Sequence, residues 1–140
     1  MIMDELLTFH HIGIACRDID KSKAFYIDQG YKAATTVHDP LQRVHVCFLE
    51  KQGAPRLELL EPVGEDSPVA RTLASAGVTP YHFCYEVVDL DAAIAHLRSE
   101  RRFLLVNGPV PACAMGDRRV AFMFQKHTGL IELVEAVPVP

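Results

Sequence analysis

The stretch HHIGIACRDID, residues 10–20, returns as YHFCYEVVDLD at residues 81–91. Laying Asp18-Ile19-Asp20 on Asp89-Leu90-Asp91 is a shift of 71 residues, and the same shift carries His11 onto His82. The segments that follow also match: RVHVCFLE then RLELLEP in the first copy, RVAFMFQK then LIELVEA in the second. There Arg43-Val44 meets Arg119-Val120 at a shift of 76, and Glu58 meets Glu132 at a shift of 74. The slip of two reads as a hairpin two residues shorter in the second copy. A duplicated unit that offers His, Glu, His and Glu in order points to a metal site on a pseudo-twofold axis.

Period-two alternation makes residues 10–16 a strand, with His11, Gly13 and Ala15 on one face and Ile12, Ile14 and Cys16 on the other. Asp18 or Asp20 caps a helix that Gly30 ends. Residues 32–37, 44–50 and 57–60 are further strands, with His38-Asp39-Pro40 and Gln52-Gly53-Ala54-Pro55 as turns. The order is β-α-β-β-β. The second copy repeats it, with strands at 81–87, 104–106, 119–125 and 130–134 and a helix capped by Asp89 or Asp91. Residues 107–117, rich in Gly, Pro and Ala, read as a loop and lid hinged at Gly108 and Gly116. Between the copies, Ser67 as N-cap, Pro68 at the first helical position and Gly77 past the end predict a linker helix. The predicted class is α+β, one domain over 1–140, with module 1 about 8–62, linker helix about 67–77 and module 2 about 80–136.

The bulk properties bound the function. Net charge is −4 with no long basic run, so nucleic acid is not the partner. The apolar runs are strand-length and predict no membrane span. The first residues, MIMDELLTF, lack the basic and apolar regions of a signal peptide. The cysteines, Cys16, Cys47, Cys84 and Cys113, make no C-x-x-C pair, which suits a reducing cytoplasm.

Imidazole nitrogen with carboxylate oxygen suits one borderline divalent ion such as Zn, Ni, Co or Mn. Without thiolates the set is not of the structural zinc-finger type. His11, Glu58, His82 and Glu132 are therefore the candidate metal ligands.

These residues resemble the vicinal oxygen chelate superfamily, which includes glyoxalase I, methylmalonyl-CoA epimerases, extradiol dioxygenases and fosfomycin-resistance proteins. HHIGIACRDIDKSKAFY is similar to its opening strand and helix, LELLEP to its fourth strand, and YHFCYEVVDLDAAI and GLIELVE to their second-copy counterparts. The inter-module stretch EPVGEDSPVARTLASAGVTPYHFCYEV looks most like the methylmalonyl-CoA epimerases. The resemblance implies paired βαβββ modules forming a U-shaped cleft around the metal, a homodimer, and proton abstraction next to a carbonyl through a metal-stabilised enolate. It also implies a catalytic Glu on the third strand, where an ungapped reading of VHV places His45. The stretch after the seventh strand departs from the epimerases' His-Pro-Lys and reads Phe124-Gln125-Lys126-His127.

Candidate bases are thus His45 and Glu132, the latter by leaving the metal. Arg43 and Arg119 are candidates to bind an anionic group of a small-molecule substrate, for instance an acyl thioester. His10, on the face opposite His11, reads as structural. The same ligand set also suits a lactoylglutathione lyase-like isomerase, which the linker helix argues against. A non-catalytic small-molecule-binding protein of the resistance type is the remaining alternative, which four intact ligands argue against.

Overall fold

The computed structural model describes residues 3–137. In chain order the elements are α1 (Met3–Leu6), β1 (Thr8–Ala15), α2 (Ile19–Asp28), β2 (Lys32–Ala33), β3 (Val37–Asp39), β4 (Val44–Glu50) and β5 (Leu57–Pro62). There follow α3 (Pro68–Ala76), β6 (Thr79–Val87), α4 (Leu90–Arg101), β7 (Leu104–Ala112), a 3-10 turn at Cys113–Met115, β8 (Arg118–Gln125) and β9 (Gly129–Glu135). The chain groups into two compact units, residues 11–81 and residues 1–10 with 82–140.

Each unit shows the same strand plan. In residues 11–81, β5 lies between β1, to which it is parallel, and β4, to which it is antiparallel; β2 and β3 both pair with β4. In the other unit β9 lies between a parallel β6 and an antiparallel β8, and β7 pairs with β8. The helices start as the sequence predicts. Asp18 accepts from Lys21 N–H at 3.1 Å and Asp89 from Ala92 N–H at 3.0 Å. Ser67 accepts from Val69 N–H at 3.3 Å, and Gly77 follows α3 with φ +73°.

A glutamate at the end of each fourth strand adds a second cap. Glu61 Oε1 accepts from Ile19 N–H at 3.1 Å, and Glu135 Oε2 accepts from Leu90 N–H at 3.4 Å. A carboxylate at a helix N-terminus meets both unpaired N–H groups and the positive end of the helix dipole. Neither of these two caps is visible in the linear pattern.

Each module buries one face of its strands. Ile14, Cys16, Ile19, Tyr31, Cys47, Leu49, Leu57 and Leu59 form one cluster. Leu90, Ala93, Ile94 and Leu97 of α4 pack with Ala121, Met123, Ile131 and Leu133 in the other, and Leu6 and Leu7 lean on it. Each such fully buried leucine contributes roughly 1.5–3 kcal/mol of apolar burial.

Three expectations are corrected. Residues 32–37 do not form one strand: the chain leaves β4 after Ala33 and returns at Val37, so His38 lies in β3 and the turn moves to residues 40–43. Buried Asp39 fixes that turn by accepting from Leu41 and Gln42 N–H groups. Residues 107–117 are not a loop with hinges, because β7 runs to Ala112 and two register shifts absorb the irregular residues. Gly108 is needed there for a close approach: at φ +93°, a Cβ would lie 2.5 Å from the Val120 carbonyl oxygen. Nor is the second hairpin shorter. Phe48 pairs with Glu58 and Phe122 with Glu132, so one shift of 74 residues superposes both strands of the hairpin. The sequence match of Arg43-Val44 with Arg119-Val120 is therefore two residues out of structural register.

Candidate functional site

Directly opposed residues of neighbouring strands point to the same face of a sheet. Glu58 stands opposite Gly13 on β1 and Phe48 on β4. Alternation then puts Val44, Val46 and Phe48 on the Glu58 face of β4, and His45, Cys47 and Leu49 on the face that the α2 cluster covers. The second module repeats this. Glu132 stands opposite Cys84 on β6 and Phe122 on β8, so Val120 and Phe122 share its face.

On those faces each module holds one His–Glu pair. His11 Nε2 is 3.2 Å from Glu58 Oε1, and His82 Nε2 is 3.0 Å from Glu132 Oε1. All four residues are buried, with His11 at 0% and Glu132 at 1% exposure. A phenylalanine from the opposed strand stands edge-on to each imidazole: Phe48 at 5.2 Å from His11 and Phe122 at 5.4 Å from His82, ring centre to ring centre. These two phenylalanines were missed in the sequence. The signal was there, since each lies ten residues before its glutamate, in the hairpin that ends at it.

The donor set fits a divalent ion on two counts. The spacings within the pairs, 3.2 and 3.0 Å, are short enough for both atoms of a pair to ligate one ion. A neutral imidazole N–H bonded to a carboxylate gives a similar spacing, so charge decides. An ionised carboxylate taken out of water costs several kcal/mol unless a cation balances it. Within each module, a cation beside the pair would balance the carboxylate's charge.

The other expected residues fall elsewhere. His45 is half-buried on the α2 face of β4, opposite Glu61 and against the His38 ring, so it lies on the wrong face for the His11–Glu58 pair. Arg119 alternates with Val120 and also falls on the helix side of its strand. Its Nη2 bonds Glu135 Oε2 at 2.7 Å and Asp91 Oδ2 at 3.1 Å, and these carboxylates, Glu135 first, hold the guanidinium above its usual range. Arg43 is exposed, at φ +55°, and its Nη1 donates to the Asp66 carbonyl at 3.2 Å. His10 is held by Arg118, whose Nη2 is 3.3 Å from its Nε2. A guanidinium only donates, so this nitrogen accepts and the other carries the proton.

A family model described as the Glyoxalase/Bleomycin resistance protein/Dioxygenase superfamily matches residues 10–122. The chain is 34% identical to the mitochondrial methylmalonyl-CoA epimerase of Homo sapiens over 132 residues, 91% of this chain and 73% of the relative. Its structure resembles that of methylmalonyl-CoA epimerase from Mycobacterium tuberculosis, with TM-score 0.85 and 30% identity over 99% of this chain and 94% of that one. It also resembles a point variant of Streptomyces coelicolor methylmalonyl-CoA epimerase in complex with 2-nitronate-propionyl-CoA, with TM-score 0.80 and 30% identity over 95% and 99% of the two chains.

Proposed function

The chain belongs to the Glyoxalase/Bleomycin resistance protein/Dioxygenase superfamily and is an enzyme of its epimerase kind, and we propose that it is metal-dependent and epimerises a 2-substituted malonyl-CoA thioester such as methylmalonyl-CoA. The observation that carries this reading is the buried His–Glu pair, repeated with the same atoms at nearly the same spacing in both modules. The names of the relatives supply the substrate class.

In this reading His11, Glu58, His82 and Glu132 together hold one ion of the Zn, Ni, Co or Mn class. Such an ion would supply charge stabilisation, worth several kcal/mol, to an oxygen beside the C–H that ionises. The two imidazoles stay neutral and fix the donor geometry. Glu132 is the base: its carboxylate takes the proton from the carbon between thioester and carboxylate and passes it to solvent, and a solvent-derived proton is added to the opposite face of that carbon. Phe48, Phe122, Val46 and Val120 share those faces and make the surroundings of the His–Glu pairs apolar. His45, on the other face of β4, has no part in the proton transfer.

Arg43 meets the anionic end of the substrate. Among the described residues it holds only a neutral carbonyl, and it is the better of the two arginines for this. Arg119 already balances two carboxylates on the helix side of its strand, which leaves Arg43 as the arginine for this role. The enzyme works as a homodimer in the cytoplasm, where its buried thiols Cys16, Cys47 and Cys84 stay reduced. No helix of the described residues is long and apolar enough to cross a membrane.

The test is deuterium uptake from solvent into C2 of methylmalonyl-CoA, with and without added divalent ions after chelator treatment. Metal-dependent uptake with racemisation is expected. No uptake with Zn, Ni, Co or Mn would refute the reading.

A further inference from the structure

One rung of strands in each module runs from the helix-capping glutamate away from the His–Glu face, and the two rungs differ. In the second module it reads Glu135, Arg119, Pro111, and Arg119 closes on Glu135 at 2.7 Å. The first module has Glu61, His45, His38 at the equivalent places, with His38 directly opposite His45 and His45 directly opposite Glu61. Glu61 is half-buried, and the bond it is seen to make is the one from Ile19 N–H; no lysine or arginine among the described residues pairs with it. The same carboxylate that carries a cation beside it in one module therefore has two imidazoles beside it in the other.

We propose that His38 and His45 chelate an imidazole-seeking divalent ion of the Zn or Cu class, which serves module 1 as the Arg119 guanidinium serves module 2. The two rings lie 5.1 Å apart, centre to centre, on adjacent strands about 4.8 Å apart. Two imidazoles at that spacing can each turn one nitrogen toward a single ion, and imidazole suits both Cu and Zn. His38 is exposed, so the ion has an open entry path and water completes its shell. Glu61 stays outside the chelate as the compensating charge, bonded to the start of α2. Binding pins the edge strand β3 to β4 and leaves the His–Glu face untouched, so this site is independent of the proposed catalytic ion.

Zn(II) titration calorimetry on chelator-treated protein, beside Cu(II) electron paramagnetic resonance, tests this. The wild type takes two ions per chain. His38→Gln and His45→Gln each take one fewer, while His82→Ala retains the second site, with a Cu(II) spectrum showing two nitrogen ligands. His45→Arg, which imports the charge of module 2, folds and binds no ion at the rung. His96→Gln, a control on α4, changes nothing. If the wild type takes one ion that persists in His38→Gln and His45→Gln but is lost in His82→Ala, the rung site is refuted and the His–Glu site stands. If the one ion persists in His82→Ala and is lost in His38→Gln, the rung stands and the His–Glu site falls.

Discussion

The two modules agree on the face that carries the His–Glu pair and diverge on the face that packs under the helix. On the first, His11, Glu58 and Phe48 correspond to His82, Glu132 and Phe122 in identity and closely in spacing. On the second, only the architecture is shared. Glu61 and Glu135 cap the two helices alike, yet His45 stands where the other module has Arg119, and Cys16 stands where it has Val87. Packing asks only for volume and apolarity, and a capping carboxylate accepts any cation or donor beside it. Ligating an ion asks for particular atoms at particular distances. The shared face is held to one set of donor atoms in both modules, while the helix side is free to differ between them.

The largest expected effect comes from breaking the shared face. His11→Ala and His82→Ala should each lower kcat by about 10²-fold or more, by similar factors, with loss of bound metal. Glu58→Gln and Glu132→Gln should not match. If Glu132 is the base, its variant loses roughly a further 10²-fold in kcat and no longer exchanges deuterium. Equal losses in the two would reassign the base.

Stability tests the packed face. Leu59 and Leu133 occupy equivalent places and are both fully buried, so alanine at either should cost about 2–5 kcal/mol in denaturant unfolding. A large inequality would show that the two clusters are not equally packed. Gly108→Ala should cost about 3 kcal/mol, from a Cβ forced against backbone at positive φ, whereas a hinge in a mobile lid would accept alanine with little loss.

Arg119→Met should lower Tm slightly, less so in high salt, and leave kcat unchanged, because the side chain is well solvated and stays protonated throughout the usable pH range. A fall in kcat would place it at the reaction.

Cys16 gives the smallest effect. Burial pushes its thiol up to about 11 from 9.0. Below pH 9 the thiol is protonated in both folded and unfolded chains; above it the unfolded chain loses the proton first, so stability falls as pH rises from about 9 to about 11. Cys16→Val, which copies Val87 of the second module, should flatten that part of the stability profile.

Much of this was legible because duplication supplies its own control. The Asp-Ile-Asp and Asp-Leu-Asp caps fix the helix starts, and His11, His82, Glu58 and Glu132 stand out as polar residues repeated at matching points. What was not legible depends on partners distant in sequence. The fall of His45 and Arg119 on the helix face follows from the pairing register, and the match of two Arg-Val dipeptides at a shift of 76 instead of 74 hid it. Gly108 and its neighbours look like a loop by composition, because the close approach of β8 that requires the glycine cannot be seen along the chain. The caps from Glu61 and Glu135 reach back 42 and 45 residues, beyond any local signature.

The most direct measurement is anomalous diffraction from crystals of the Co(II)-loaded protein. One ion is expected, held by His11 Nε2, His82 Nε2 and a carboxylate oxygen each from Glu58 and Glu132 at about 2.0–2.3 Å. An ion held by one His–Glu pair alone, separate ions on the two pairs, or no ion at either would contradict it.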